Sequence, residues 1–147
     1  MERSLDAAGI RRSNLGLELT ERSTAVSGMG TEALGQRKKA GYTLYIDDFG
    51  TGYSSLAYLH RLDVDAIKID HAFTQTVGTN AATASVVPQI LAMAKLLNLH
   101  VVVEDVETRE QADYFRMACP EGHAQGWLYG RPSAAEDLRR SIRPHGL

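Results

Sequence analysis

Apolar residues recur along this chain in short runs of period two, separated by longer stretches of helical period. Across residues 15–20, Leu15, Leu17 and Leu19 alternate with Gly16, Glu18 and Thr20, which predicts a strand with one apolar face. Residues 31–40 read as a helix closed by Gly41, residues 42–47 as a second strand and residues 54–62 as a second helix. Residues 66–70 predict a third strand, with Lys68 on the face opposite Ile67 and Ile69. The longest predicted helix, 80–97, carries Ile90, Met93, Ala94 and Leu97 at helical spacing, and Pro88 in its middle should kink or split it. A fourth strand follows at 100–104, a helix at 109–118 and a fifth strand at 124–128. An amphipathic helix over 133–142, capped by Ser133, closes the chain.

Strand followed by helix, repeated with short loops, implies an α/β fold with a parallel sheet and right-handed crossovers. Active groups in such sheets gather where the strands end, at their carboxyl edge. Glu18, Asp47, Lys68 and Glu104 all stand at or near predicted strand ends, and Gln125 stands near the fifth. A solvated loop charge explains most isolated acids. Polar groups on four strand ends, each opposite the apolar face, are hard to explain by packing.

Composition limits the field. The chain has 147 residues, 44% of them hydrophobic, enough for one domain with a core. Sixteen basic and eighteen acidic residues leave a net charge of -2, which gives no argument for nucleic acid or an anionic membrane surface, and no DNA or RNA polymer is expected as partner. Cys119 is the only cysteine, so no internal disulfide forms and a reducing cytoplasm is the expected compartment. No apolar stretch approaches the ~20 residues of a membrane span, and charged residues rather than a signal-peptide core follow Met1.

The chemistry concentrates in Ile46-Asp47-Asp48-Phe49-Gly50-Thr51-Gly52-Tyr53-Ser54-Ser55-Leu56. Two carboxylates at a strand end are costly to hold side by side unless a cation lies between them. The glycines after them let the backbone bend closely around a ligand. Glu18, Asp47, Asp48 and Glu104 would offer hard oxygen ligands suited to Mg²⁺ or Mn²⁺ rather than zinc. The histidines at 60, 71, 100, 123 and 145 show no ligand spacing. Adjacent aspartates could bridge or flank two ions ~3.5–4 Å apart, the separation used for in-line phosphoester displacement. Lys68, pointing inward, would meet these acids and could hold a nucleophilic water or stabilise phosphoryl oxygens. The reaction suggested is metal-assisted hydrolysis of a phosphodiester.

Glu18-Leu19-Thr20-Glu21, the run from Asp47 to Leu56, Lys68-Ile69-Asp70, Glu104-Asp105-Val106-Glu107-Thr108 and Gln125-Gly126-Trp127 together resemble the EAL-domain cyclic di-GMP phosphodiesterases, in order and spacing. The resemblance implies a modified (β/α)8 TIM-type barrel that opens cyclic di-GMP to the linear dinucleotide with Mg²⁺ or Mn²⁺. It implies Glu18, Asp47 and Asp48 as metal ligands, Asp47 bridging. It implies Lys68 at the catalytic water and Glu104 at the second metal or as general base. It further implies Glu21 as the residue that holds the loop after the aspartate pair, and Asp70, Glu107 and Gln125 as pocket positions. The segment from His71 to Leu99 and Gln125-Gly126-Trp127 are most similar to the subgroup attached to periplasmic sensor domains of the CSS type. That subgroup implies a parent fused to a sensor, anchored at the inner membrane with this domain on the cytoplasmic side.

Three departures from the family pattern follow. A complete barrel of this kind takes ~250 residues, whereas about five of eight strands are expected here. The namesake glutamate and a metal-binding asparagine, both upstream of Glu18 in the family, have no counterpart. The chain is therefore expected to be the C-terminal part of such a domain, weak or inactive alone and prone to self-association through open barrel edges. Glu32-Ala33-Leu34 spells the family name but falls on a predicted helix and is read as coincidence. Asp105 stands where the family usually has glycine, a residue that permits positive φ. The alternative to an enzyme is a non-catalytic remnant that binds nucleotide or protein. The retained Glu18, Asp47, Asp48, Lys68 and Glu104 argue against it, since degenerate relatives usually lose the acids.

Overall fold

The computed structural model describes residues 2–20, 31–50, 59 and 62–141. Five strands form one sheet in the order β1 (Gly16–Thr20), β2 (Thr43–Phe49), β3 (Ala66–Ile69), β4 (His100–Val103) and β5 (His123–Ala124), every neighbouring pair parallel. Spatial order equals chain order. Parallel neighbours are joined by crossovers of one hand, so sequential order keeps all the crossovers on one face and curves the sheet into an arc of barrel wall. The α-helices whose bounds lie among the described residues are α1 (Glu2–Ala7), α2 (Thr31–Lys39), α3 (His71–Thr74), α4 (Val87–Leu96), α5 (Arg109–Ala118) and α6 (Ala135–Ser141).

The two faces of the arc differ as the strand alternation requires. Leu44, Ile46, Ile67, Ile69, Val101 and Val103 are buried beneath the helices with Leu34, Ile90, Ala94, Ala112 and Phe115. The opposite face carries Glu18, Tyr45, Asp47 and Lys68. Of these only Lys68 is buried, on the central strand β3, whose four residues are all covered. The amino-terminal end of the sheet is tied by Lys38 of α2, whose Nζ donates to Asp63 Oδ1 at 2.7 Å and pairs with Asp65 Oδ1 at 3.1 Å. Asp65 Oδ2 in turn accepts from the Leu44 backbone N–H at 2.9 Å, which joins the start of β3 to β2.

Several expected boundaries move. The long helix does not begin at Asn80: a single 3-10 turn covers Ala82–Ser85 and the α-helix starts at Val87, with Pro88 in its first turn. Proline there costs no hydrogen bond, because the first-turn N–H groups have no intrahelical acceptor. It opens the helix rather than kinking it. The fifth strand has two residues instead of five, since Gly126 adopts φ 152 and Tyr129 N–H turns back to the Gly126 carbonyl at 3.0 Å. The last helix begins at Ala135, two residues beyond Ser133, and Ile142 lies outside the described residues. The helix expected at 54–62 also lies outside them except for Leu59 and Leu62, both helical and buried. Glu32-Ala33-Leu34 sits on α2 with Leu34 in the core, as its reading as coincidence requires. No helix among the described residues is long and apolar enough to cross a membrane.

Candidate functional site

The carboxyl ends of β1 to β4 deliver their polar residues to one place. Lys68 Nζ lies 2.9 Å from Glu18 Oε1, 3.1 Å from Asp47 Oδ1 and 2.8 Å from Glu104 Oε1. Each acid comes from a different strand or strand end, so the lysine is the hub of the arc. Gln125, just past β5, donates from Nε2 to Glu104 Oε1 at 2.8 Å and adds the fifth strand to the group.

A β-bulge explains how two consecutive aspartates serve one site. Adjacent strand residues normally face opposite sides of a sheet. Here Ile46 pairs with Ile67 and Phe49 with Ile69, so three steps along β2 match two along β3. The extra residue is absorbed at Asp48, which takes φ 54. Aspartate is one of the few residues that enters the left-handed region cheaply. The bulge re-aims Asp48 while keeping Phe49 in the core. As a result, carboxylate oxygens of Asp47, Asp48 and Glu104 all lie within 4.8 Å of one another.

The electrostatics of this arrangement are incomplete without a further cation. Glu18, Asp47, Asp48 and Glu104 bring four carboxylates to one ammonium, and Asp70 adds another beside Asp48. Burial alone would lower the Lys68 pKa, but the contacts with Glu104, Glu18 and Asp47 outweigh it and raise it. The lysine is therefore a permanent cation. Glu104 is pushed upward by burial and by the charges of Asp47 and Glu18, which the Lys68 contact only partly offsets. Asp48 is likewise raised, first by burial and then by Asp47 and Asp70. Asp47 Oδ1 is buried with no aligned hydrogen-bond donor, although Lys68 Nζ is near it. A buried anionic oxygen without a donor, among oxygen ligands only, fits a hard divalent cation.

These shifts give a prediction about stability. Carboxyls with raised folded-state pKa favour the folded state fully below their unfolded pKa, and that advantage is lost as pH rises through the folded pKa. In chelator the chain is therefore expected to melt higher at mildly acidic pH than at neutral pH. Saturating Mn²⁺ at neutral pH should restore the difference, by about 2.7 kcal/mol at one hundred times Kd. Thermal melts across pH, with and without metal, check it.

Asp70 lies beside Asp48 and also serves the fold. It is buried and caps α3, with Oδ1 accepting from the Ala72 backbone N–H at 2.8 Å and His71 Nδ1 at 3.1 Å from the same oxygen. Glu107 stands on the loop after β4 with its side chain exposed. Its backbone N–H and that of Thr108 both donate to Gln111 Oε1, at 2.8 and 3.0 Å, while Thr108 Oγ1 accepts from Gln111 N–H. This capping box holds the loop after Glu104, and the sequence carries its signature as Thr108-x-x-Gln111. Asp105 adopts φ 51, the conformation that the glycine expected at this position would take without strain. Glu21 lies outside the described residues. A cavity of about 570 Å³ is lined by Leu99, His100 and Cys119 at the amino end of β4.

The chain matches known proteins along most of its length. The family model of the EAL domain covers residues 1–132. The probable cyclic di-GMP phosphodiesterase PdeB of Escherichia coli is 40% identical over 131 residues, 89% of this chain and 24% of that protein. The PaMucR phosphodiesterase in complex with c-di-GMP superposes with a TM-score of 0.85 at 37% identity, over 93% of this chain and 56% of that one. Klebsiella pneumoniae BlrP1, in a manganese and cy-diGMP complex, gives a TM-score of 0.78 at 32% identity over 88% of this chain and 33% of that one. The chain thus spans about a quarter of the length of PdeB and just over half of the PaMucR chain.

Proposed function

The chain belongs to the EAL domain family, and from that premise we propose that it carries the carboxyl-side catalytic groups of a divalent-metal-dependent cyclic di-GMP phosphodiesterase. The observation that carries this reading is the bulged Asp47-Asp48 pair meeting Glu104 around Lys68. Names of the matched proteins support the substrate, and the manganese complex of BlrP1 supports the metal class.

Glu18, Asp47 and Asp48 would hold Mg²⁺ or Mn²⁺, the ion competing with Lys68 for the Asp47 carboxylate. When bound, the metal supplies Lewis-acid stabilisation of phosphoryl charge, and in two-ion sites a clamp on both attacking and leaving oxygens. The remaining work falls to the side chains. Lys68, held by three acids, keeps an N–H-bearing cation at a fixed point where it can orient a water and meet developing negative charge. Glu104 is suited to accept a proton from that water, because a carboxylate with raised pKa is a better base near neutrality. Gln125 keeps Glu104 pointing at Lys68 through its 2.8 Å hydrogen bond. Asp70 stabilises the turn into α3 beside Asp48, and Glu107 stands ready at the rim for polar groups of the dinucleotide. We infer slow turnover by these 147 residues alone, because the two upstream ligands that the family resemblance implies are not among them.

The test is direct. The chain is incubated with cyclic di-GMP and Mn²⁺, and products are separated by chromatography. Linear dinucleotide should form, cease in excess chelator and fall to background in Asp47→Asn. Undiminished hydrolysis in chelator or in the variant would exclude this reading.

A further inference from the structure

Trp127 is the only tryptophan of the chain and is 57% exposed, an uneconomical position for the largest apolar ring unless something covers it. Its place is tightly determined. Gln125, two residues earlier, reaches Glu104 with its side chain, and two residues of chain span at most about 7 Å, so the Trp127 backbone lies within about 7 Å of the backbone of a residue that touches the acidic cluster. The backbone between them is fixed: Val106 N–H donates to the Gln125 carbonyl and Leu128 N–H to the Val106 carbonyl, both at 3.0 Å. One side of the ring is already occupied. Arg131 Cζ lies 4.4 Å from the ring centroid, a cation–π contact on one face of a residue that is more than half exposed.

We propose that the uncovered face of Trp127 is a stacking platform for a nucleobase of the cyclic dinucleotide, with Arg131 as the residue that positions the ring. This rests on the phosphodiester reading above and adds a base subsite to it. A flat aromatic on a rigid backbone, beside groups arranged for a phosphodiester, matches a ligand whose phosphates carry planar bases a few ångströms away. Stacking needs no hydrogen-bond readout, because every base offers a π face. The guanidinium on the far side also brings positive charge to an anionic ligand without occupying the stacking face.

Because no other tryptophan exists, the emission of the chain reports this ring alone. Cyclic di-GMP is titrated into the intact chain with Ca²⁺, with binding followed in parallel by equilibrium dialysis and by tryptophan fluorescence. The expected result is saturable quenching with the same midpoint as dialysis. Trp127→Ala should weaken binding about tenfold or more, and Trp127→Phe, which keeps a π face, should recover most of it. Arg131→Ala should fall between the two. Both residues are exposed, so thermal melts of the variants should match the wild type. Binding by dialysis with unchanged fluorescence, or wild-type affinity in Trp127→Ala, would overturn the base subsite and leave the proposed function standing. Absence of binding by the wild-type chain would overturn both.

Discussion

Replacing Lys68 by methionine is expected to cut hydrolysis of cyclic di-GMP by about 10²–10³-fold, the usual cost of removing a fixed group that meets transition-state charge. The same change should tighten Mn²⁺ binding. Nζ lies 2.8 Å from Glu104, 2.9 Å from Glu18 and 3.1 Å from Asp47, so the ammonium and a divalent ion compete for the same carboxylates. Methionine keeps the length and apolar stem of the side chain while removing its charge. In chelator the variant should be markedly less stable, because breaking a buried ion pair from one side typically costs about 3–5 kcal/mol. That figure applies to Glu104 and Asp47, whose side chains are 17% and 20% exposed, and far less to Glu18 at 53%. Saturating Mn²⁺ should return most of the loss. Calorimetry, urea melts and product chromatography on one preparation separate these effects. A variant with wild-type turnover would show that Lys68 is only a structural counter-ion.

The second large effect is expected at Gly126. A Cβ built there would sit 2.3 Å from both the backbone N and O of Val106, and the residue has φ 152. Backbone cannot swing aside as a side chain can, and Val106 is fully buried. Gly126→Ala is therefore expected to cost about 3 kcal/mol, the upper end for overpacking combined with a backbone conformation that alanine disfavours. Relief would come by pushing the 125–128 segment off Val106, which breaks the Gln125–Glu104 hydrogen bond and frees Glu104. A lowered urea midpoint with reduced metal affinity is the expected pair of readings. An unchanged midpoint would mean that the close approach at Val106 is not required.

Much of this architecture could be read from the chain itself, for reasons that lie in particular residues. Leu15, Leu17 and Leu19, or Ile67 and Ile69 around Lys68, alternate so regularly that strand, face and inward lysine follow together. The acids at the strand ends followed from the parallel sheet. The bulge was not foreseen, yet it leaves a trace: Leu44 and Ile46 keep period two, and the next apolar residue falls at 49 rather than 48. Pro88 splits the predicted 80–97 segment, because a proline fits the first turn of the α-helix that begins at Val87 and the 3-10 turn ends before it. The helix Glu2–Ala7 left no usable signal, since so short a segment carries too few apolar positions to show a period. Gly126 could be noticed but not interpreted. Its necessity lies in the backbone of Val106, twenty residues away in sequence and visible only in three dimensions.

Calorimetric titration of Mn²⁺ into the chain at neutral pH, beside Asp47→Asn and Asp48→Asn, tests the central claim most directly. If Glu18 and the bulged aspartate pair hold a divalent metal beside Lys68 and Glu104, the wild-type chain binds Mn²⁺ saturably and each variant loses at least about tenfold in affinity, roughly the 1.4 kcal/mol expected for one lost charged ligand. Equal Mn²⁺ binding by all three proteins, or none by the wild type, would contradict it.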